Sequence, residues 1–294
     1  MRLISCRTAA GEALAVVVGD RWLAAAEVMP GGPATMAELL TAGPSAVDAL
    51  RDRIAAVSIA DRGLPVADAE LLAPVPRPGK IVAIGRNYRD HAAEEGVETP
   101  PAPLVFAKWP SSVVGPGAEV RWDPGLTASV DYEAELAVVI GLAARRVPVE
   151  TALEHVLGYT CLNDVSARDI QFGDGQWVRG KSLDTFCPMG PAVVTADEIG
   201  DPQDLAIACI VGDERVQDAR TSAMYFGVAE IISYCSMSFT LEPGDVIATG
   251  TPAGVGAFRD PPRFLADGDL MAVEIEGIGR LENVCRFEST EAVA

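Results

Sequence analysis

Residues 130–140 read VDYEAELAVVI, an apolar run carrying Glu133 and Glu135 two positions apart. In a strand, side chains alternate, so Tyr132, Ala134, Leu136, Val138 and Ile140 share one face while Asp131, Glu133 and Glu135 share the other. Two explanations fit such a face. It meets water, the ordinary fate of a carboxylate, or two carboxylates project together into a site. The rest of the chain has to decide between them.

The chain has 294 residues, 49% hydrophobic and 22% charged, enough for one large domain or a large and a small one. A net charge of −19 argues against nucleic acid and anionic membrane as partners, because phosphates call for a basic patch. It leaves room for an anionic small molecule met by a few local cations. The six cysteines are scattered without a C-x-x-C pair, mostly in apolar surroundings such as IACIVG, and read as core residues of a reduced, cytoplasmic protein. MRLISCRTAAGE lacks the apolar stretch of a signal peptide, and LAVVIGLAA at 136–144 is too short to span a bilayer.

Short strand-like segments, RLISCRT, EALAVVVG and RWLAAAEV, open the chain, followed by a helix expected over 46–57 with Ser45 as its N-cap. These define a small N-terminal domain over 1–73. APVPRPGK carries three prolines in eight residues, and a stiff linker is placed at 74–80. A larger domain then runs over 81–294. It starts at the strand KIVAIG, with further strands expected at 134–141, 191–195, 206–212, 245–249 and 270–276. Helices are expected near 150–157 and 223–236, the latter packed in the core. LEPGDVIATG and FLADGDLMAVEIEG share a Gly-Asp turn before an alternating strand. No dinucleotide or P-loop fingerprint is present, and GTPAGVG at 250–256 is Gly-rich but matches neither.

Only two histidines exist. His155, in ETALEHVLGY, has a structural reading. His91 lies in the polar segment GRNYRDHAAEEG between Gly85 and Gly96; on a helical turn it meets Glu94 at i,i+3, a pairing suited to general-base catalysis or to an ordinary surface contact. The flanking glycines suit a lid. CLNDVSARDIQ offers Asp164, Asp169 and Gln171. Lys181, between Gly180 and Ser182, is the only lysine after Lys108.

Taken in order, GRNYRDHAAE, DYEAELAVVIG, GYTCLNDVSARDIQ, WVRGKSLDTFCPMGP and PGDVIATGTPAGVG resemble the fumarylacetoacetate hydrolase family from about Lys80 to Phe287. The resemblance implies an α+β, β-rich fold, a mixed sheet rolled into a barrel-like sandwich, and a homodimer. It implies that Glu133, Glu135 and Asp164 are metal ligands and that His91 and Glu94 form a water-activating dyad on a lid. By the same resemblance Lys181 faces the developing charge, and Arg168, Gln171 and Thr251 contact the carboxylate and oxo groups of a small 2-oxo acid. Three carboxylates within ~4 Å repel pairwise by roughly 4 kcal/mol at an effective dielectric near 20, so they call for a cation. The all-oxygen set favours Mg²⁺, with Mn²⁺ or Ca²⁺ as alternatives and Zn²⁺ disfavoured. The activity implied is hydrolytic C–C cleavage of an acylpyruvate-type 2,4-dioxo acid; the alternatives are decarboxylation of oxaloacetate or a related diacid, and keto–enol isomerisation.

Overall fold

Strand Ala134–Ile140 lies inside a 12-stranded mixed sheet, and all seven of its residues are buried. The computed structural model describes residues 1–54 and 56–288. Leu136, Val138 and Ile140 face a five-stranded sheet (Glu119–Trp122, Ala206–Val211, Glu214–Arg220, Leu270–Ile275 and Gly279–Phe287), whose Cys209, Val211 and Val273 join them in the main core. Ala137 and Val139 face the other way, into a second core with Met36, Leu39 and Leu40 of the N-terminal helix Met36–Ala42. Burial on both faces turns alternation into a near-continuous apolar run. Neither explanation of the acidic face foresaw this, since both left its outer side open. Each fully buried Leu, Val or Ile here stabilises the fold by about 1.5–3 kcal/mol.

The large sheet follows an open path and does not close into a barrel. The N-terminal strands continue it: Arg2–Thr8 forms a hairpin with Gly11–Val18 and pairs with Cys187–Thr195 through Arg2 and Leu3. Over 74–80 the chain takes an irregular path, tied down where Ser5 donates to the Pro74 carbonyl at 2.9 Å. The helix expected over 46–57 runs Pro44–Ile54, with Ala55 outside the described residues. Proline occupies its first position, where a missing N–H costs nothing, so Ser45 lies inside the helix and is not its cap. The stretch near 150–157 is a 3-10 segment, Val149–His155, and the later helix is Val228–Ser238, which buries Val228, Ile231, Ile232 and Cys235. Both Gly-Asp turns hold their glycine left-handed, Gly244 at φ 89° and Gly268 at φ 86°, ahead of strands Val246–Ala248 and Leu270–Ile275.

Register sets the position of the site. Ala134 pairs with Asn163 of strand Val156–Asn163, so the next residues, Glu133 and Asp164, meet just beyond the ladder, where the Asp164 N–H donates to the Glu133 carbonyl at 2.9 Å. On the opposite side Ala137 pairs with Ala248, which brings Gly250 beside Glu135. Val246–Ala248 runs parallel to Ile81–Gly85, which delivers Arg86 and the helix Arg89–Glu94 to the same end of the sheet.

Candidate metal centre and active site

Each of Glu133, Glu135 and Asp164 offers a carboxylate oxygen within 4.8 Å of the others, and all three are buried. The two glutamates therefore share a site. Asp131 belongs elsewhere: it accepts from Arg168 Nε at 2.8 Å and from the Gly256 and Ala257 N–H groups. Asp169 also stays apart, accepting from Thr127 Oγ1 at 2.6 Å; it leads the first turn of helix Arg168–Asp174, which turns its carboxylate away from the cluster.

Counter-charge is distributed unevenly over the trio. Lys181 Nζ sits 2.8 Å from Glu133 Oε2 and 2.9 Å from Asp164 Oδ2, and Arg168 Nη1 is 2.7 Å from Glu133 Oε1. Burial alone would raise the Glu133 pKa, but Lys181 and Arg168 outweigh it and hold the group ionised. Among the described residues no cation touches Glu135. It accepts from the Gly250 N–H at 2.8 Å, while burial, and then the Asp164 and Glu133 charges, push its pKa well above the carboxylate range. For Lys181 burial works against the charge, and Asp164 and Glu133 overcome it, raising its pKa.

These residues fit a hard divalent cation. Every donor is oxygen, and among the described residues no cation touches Glu135 and Asp164 Oδ1 is buried without a hydrogen bond. Lys108 Nζ lies 2.6 Å from that oxygen but off the hydrogen-bonding direction. Lys108 is itself buried and contacts the Lys181 carbonyl, so it braces both residues.

His91 is held on both sides. Nδ1 is 3.1 Å from Glu94 Oε2, the expected dyad, and Nε2 is 3.1 Å from Glu95 Oε1. Burial opposes its charge, but the two carboxylates raise its pKa to about 9, so at neutral pH both nitrogens carry protons and donate. The Gly254 N–H fixes Glu94 at 2.9 Å, and Arg86 Nε donates to Glu95 Oε2 at 2.8 Å. Glu95 is kept ionised: burial would raise its pKa, and His91 and Arg86 together lower it.

The Gly-rich loop at 250–256 thereby acquires a role. Gly250, Gly254 and Gly256 donate backbone N–H groups to Glu135, Glu94 and Asp131 in turn. A Cβ on Gly256 would stand 1.9 Å from the Arg263 carbonyl oxygen, so that close approach requires glycine.

Ile84, Gly85, Arg86, His91, Glu95, Phe106, Glu133, Arg168, Gln171, Trp177, Lys181 and Thr251 enclose a cavity of about 20 Å³, room for one or two waters. Gln171 accepts from Arg168 Nη1 at 3.0 Å, and Arg168 Nη2 is buried without a partner. Thr251 Oγ1 accepts from Gln217 and donates to the Ala134 carbonyl. All nine residues to which the resemblance gave roles lie at this end of the sheet. Arg86, Glu95 and Lys108 were missed. Arg86 and Glu95 flank His91 in the quoted GRNYRDHAAEEG and could have been found there; Lys108 sits in a strand with no motif around it.

Comparison with known proteins shows the family. The fumarylacetoacetate (FAA) hydrolase C-terminal family matches residues 80–286. The mitochondrial oxaloacetate tautomerase FAHD2B of Bos taurus is 44% identical over 253 residues, 85% of this chain and 79% of the relative. Oxaloacetate tautomerase YisK of Bacillus subtilis (strain 168) is 47% identical over 221 residues, 74% and 73%. Among solved structures, the 2-hydroxyhepta-2,4-diene-1,7-dioate isomerase of Mycobacterium marinum superposes with a TM-score of 0.77 at 37% identity, covering 99% of this chain and 100% of that one.

Proposed function

Because the chain belongs to the fumarylacetoacetate hydrolase family, a family of enzymes, we propose that it catalyses metal-dependent keto–enol isomerisation of a short 2-oxo acid of the oxaloacetate class. The observation that carries this reading is the double engagement of His91. With Nδ1 against Glu94 and Nε2 against Glu95, the imidazole has neither ring nitrogen left to activate water, while Glu95 beside it lines the cavity as an acceptor. The tautomerase names of two relatives support the same reading.

A divalent ion, when held by Glu133, Glu135 and Asp164, supplies the charge that acidifies a carbon next to a 2-oxo group. The chain's own residues do the rest. Arg168, through its unpartnered Nη2, and Gln171 bind the carboxylate adjoining the oxo group. Glu95, oriented by His91, takes a proton from carbon 3; the C–H electrons become the C2–C3 double bond, and the oxo π electrons move onto oxygen. Lys181 opposes the charge that builds there. The same proton then passes from Glu95 to that oxygen, so no water is consumed. At about 20 Å³ the cavity is too small for such an acid, so entry requires it to widen, a movement this reading assigns to the segment around helix Arg89–Glu94.

Hydrolysis of an acylpyruvate is the second reading, favoured by the intact His91–Glu94 pair that Gly254 fixes. One assay separates them. With Mg²⁺ present, enolic oxaloacetate should lose its enol absorbance faster than in buffer, releasing neither carbon dioxide nor a second acid. Enol decay at the buffer rate, with acid released from an acylpyruvate, would assign hydrolysis instead.

A further inference from the structure

Besides Arg168 and Lys181, the cavity is lined by a further arginine whose Nη groups no step above uses. Arg86 lines it from the end of strand Ile81–Gly85, with its side chain 31% exposed. Its backbone is left-handed at φ 56°, a strained conformation for an arginine, and strain of this kind gathers where a side chain must be aimed. The guanidinium lies 5.5 Å from the centroid of the Trp177 ring. Trp177 packs edge-on to Phe106, and a Cβ on Gly85 would come within 2.4 Å of the Trp177 ring, so glycine there admits the indole against the backbone. Of the three guanidinium nitrogens only Nε is engaged, by Glu95; no other described residue holds the two Nη groups.

Resting on the isomerase reading, the geometry points to Arg86 as the anchor for a second, distal carboxylate, and hence to a 2-oxo dicarboxylate with one carbon between the oxo carbon and that carboxylate. The spacing follows from connectivity. Glu95 Oε1 touches His91 and Glu95 Oε2 touches Arg86, so the group that exchanges the carbon-3 proton adjoins the Arg86 fork. A carboxylate attached to carbon 3 falls beside that fork, and Arg168 holds the other end. An arginine fork held over an indole presents two N–H groups at its free end, the pattern that matches a carboxylate. A longer acyl chain would place an uncharged carbonyl there and leave the Nη groups without a counter-charge.

The test uses two stable acids that differ only in the distal carboxylate, malate and lactate, titrated calorimetrically into the Mg²⁺-loaded protein. Charge-assisted hydrogen bonds of this kind are worth roughly ten- to a hundred-fold in affinity. The wild-type protein should bind malate at least about ten-fold more tightly than lactate, on that basis. Arg86→Met should collapse the ratio while leaving lactate affinity nearly unchanged, and Arg86→Lys should recover part of it. Equal binding of the two acids by wild type, an unaltered ratio in Arg86→Met, or equal loss of both acids would overturn the assignment, the last by showing that Arg86 acts only through Glu95. Retained malate preference in a protein that leaves enolic oxaloacetate untouched would uphold the Arg86 site and sink the isomerase reading instead.

Discussion

Replacing Glu135 with glutamine should stabilise the metal-free protein and abolish its response to Mg²⁺. Glu135 is buried within 4.8 Å of two other carboxylates, and Lys181 contacts both of those but not Glu135. At that separation a like-charge pair costs about 3.5 kcal/mol at an effective dielectric near 20, before the neighbouring cations offset part of it. Linkage gives a second route to the same size. The Glu135 pKa is raised in the folded protein, so the unfolded chain ionises first as pH rises, and stability falls from about pH 4.5 upward. By pH 7 that loss reaches at most about 3.4 kcal/mol. The Glu135→Gln change removes it, and in a chain of this length relief of about 1–3 kcal/mol raises Tm by a few degrees. The assay is thermal unfolding of both proteins, without and with Mg²⁺, at pH 4 and pH 7. The metal-free variant should melt higher than wild type at pH 7 and equally at pH 4, and Mg²⁺ should stabilise wild type alone. A variant that melts lower without metal, or keeps the full Mg²⁺ shift, would refute the argument.

Other perturbations probe separate parts of the site. His91 has a folded pKa of about 9, above its unfolded value near 6.5, so its contribution is complete below pH 6.5 and lost as pH rises through 9. That is about 3 kcal/mol, and denaturant titrations of His91→Gln should lack the decline that wild type shows across this window; parallel curves would discount the carboxylate clamp. Arg168→Met leaves Asp131 buried without its charged partner and should cost about 3–5 kcal/mol by urea unfolding; a loss under about 1 kcal/mol would mean the backbone donors to Asp131 suffice. Gly85→Ala places a methyl 2.4 Å from Trp177 and should displace the ring, read as a shifted tryptophan emission with overall stability little changed; unshifted emission would show that the indole tolerates the methyl.

How much of this the sequence disclosed depended on whether local pattern or neighbouring strands did the positioning. Strand Ala134–Ile140 was legible because Leu136–Ile140 is an unbroken apolar run, and both Gly-Asp turns because their left-handed backbone favours glycine. Strand Val156–Asn163 was not anticipated: VLGYTCLN mixes small and polar residues, and its place comes from pairing with Ala134–Ile140 and Cys187–Thr195. The site residues that resemblance supplied, Glu133, Glu135, Asp164 and Lys181, converge as expected. Asp131 and Asp169 show the opposite case. As residue types they suit the site as well as Asp164, and only register and helix phase assign them to Arg168 and Thr127. Lys108 is beyond any local rule, since it reaches Asp164 from a strand at the edge of the sheet.

Soaking crystals with Mn²⁺ and collecting data at its absorption edge tests the central assignment most directly. One strong anomalous peak is expected at ordinary Mn–oxygen distances, close to the ~2.1 Å typical of small hard cations, from Glu133, Glu135 and Asp164, with Lys181 drawn back from its contacts with Glu133 and Asp164. No peak there, or a peak held by other side chains while Lys181 keeps both contacts, would contradict it.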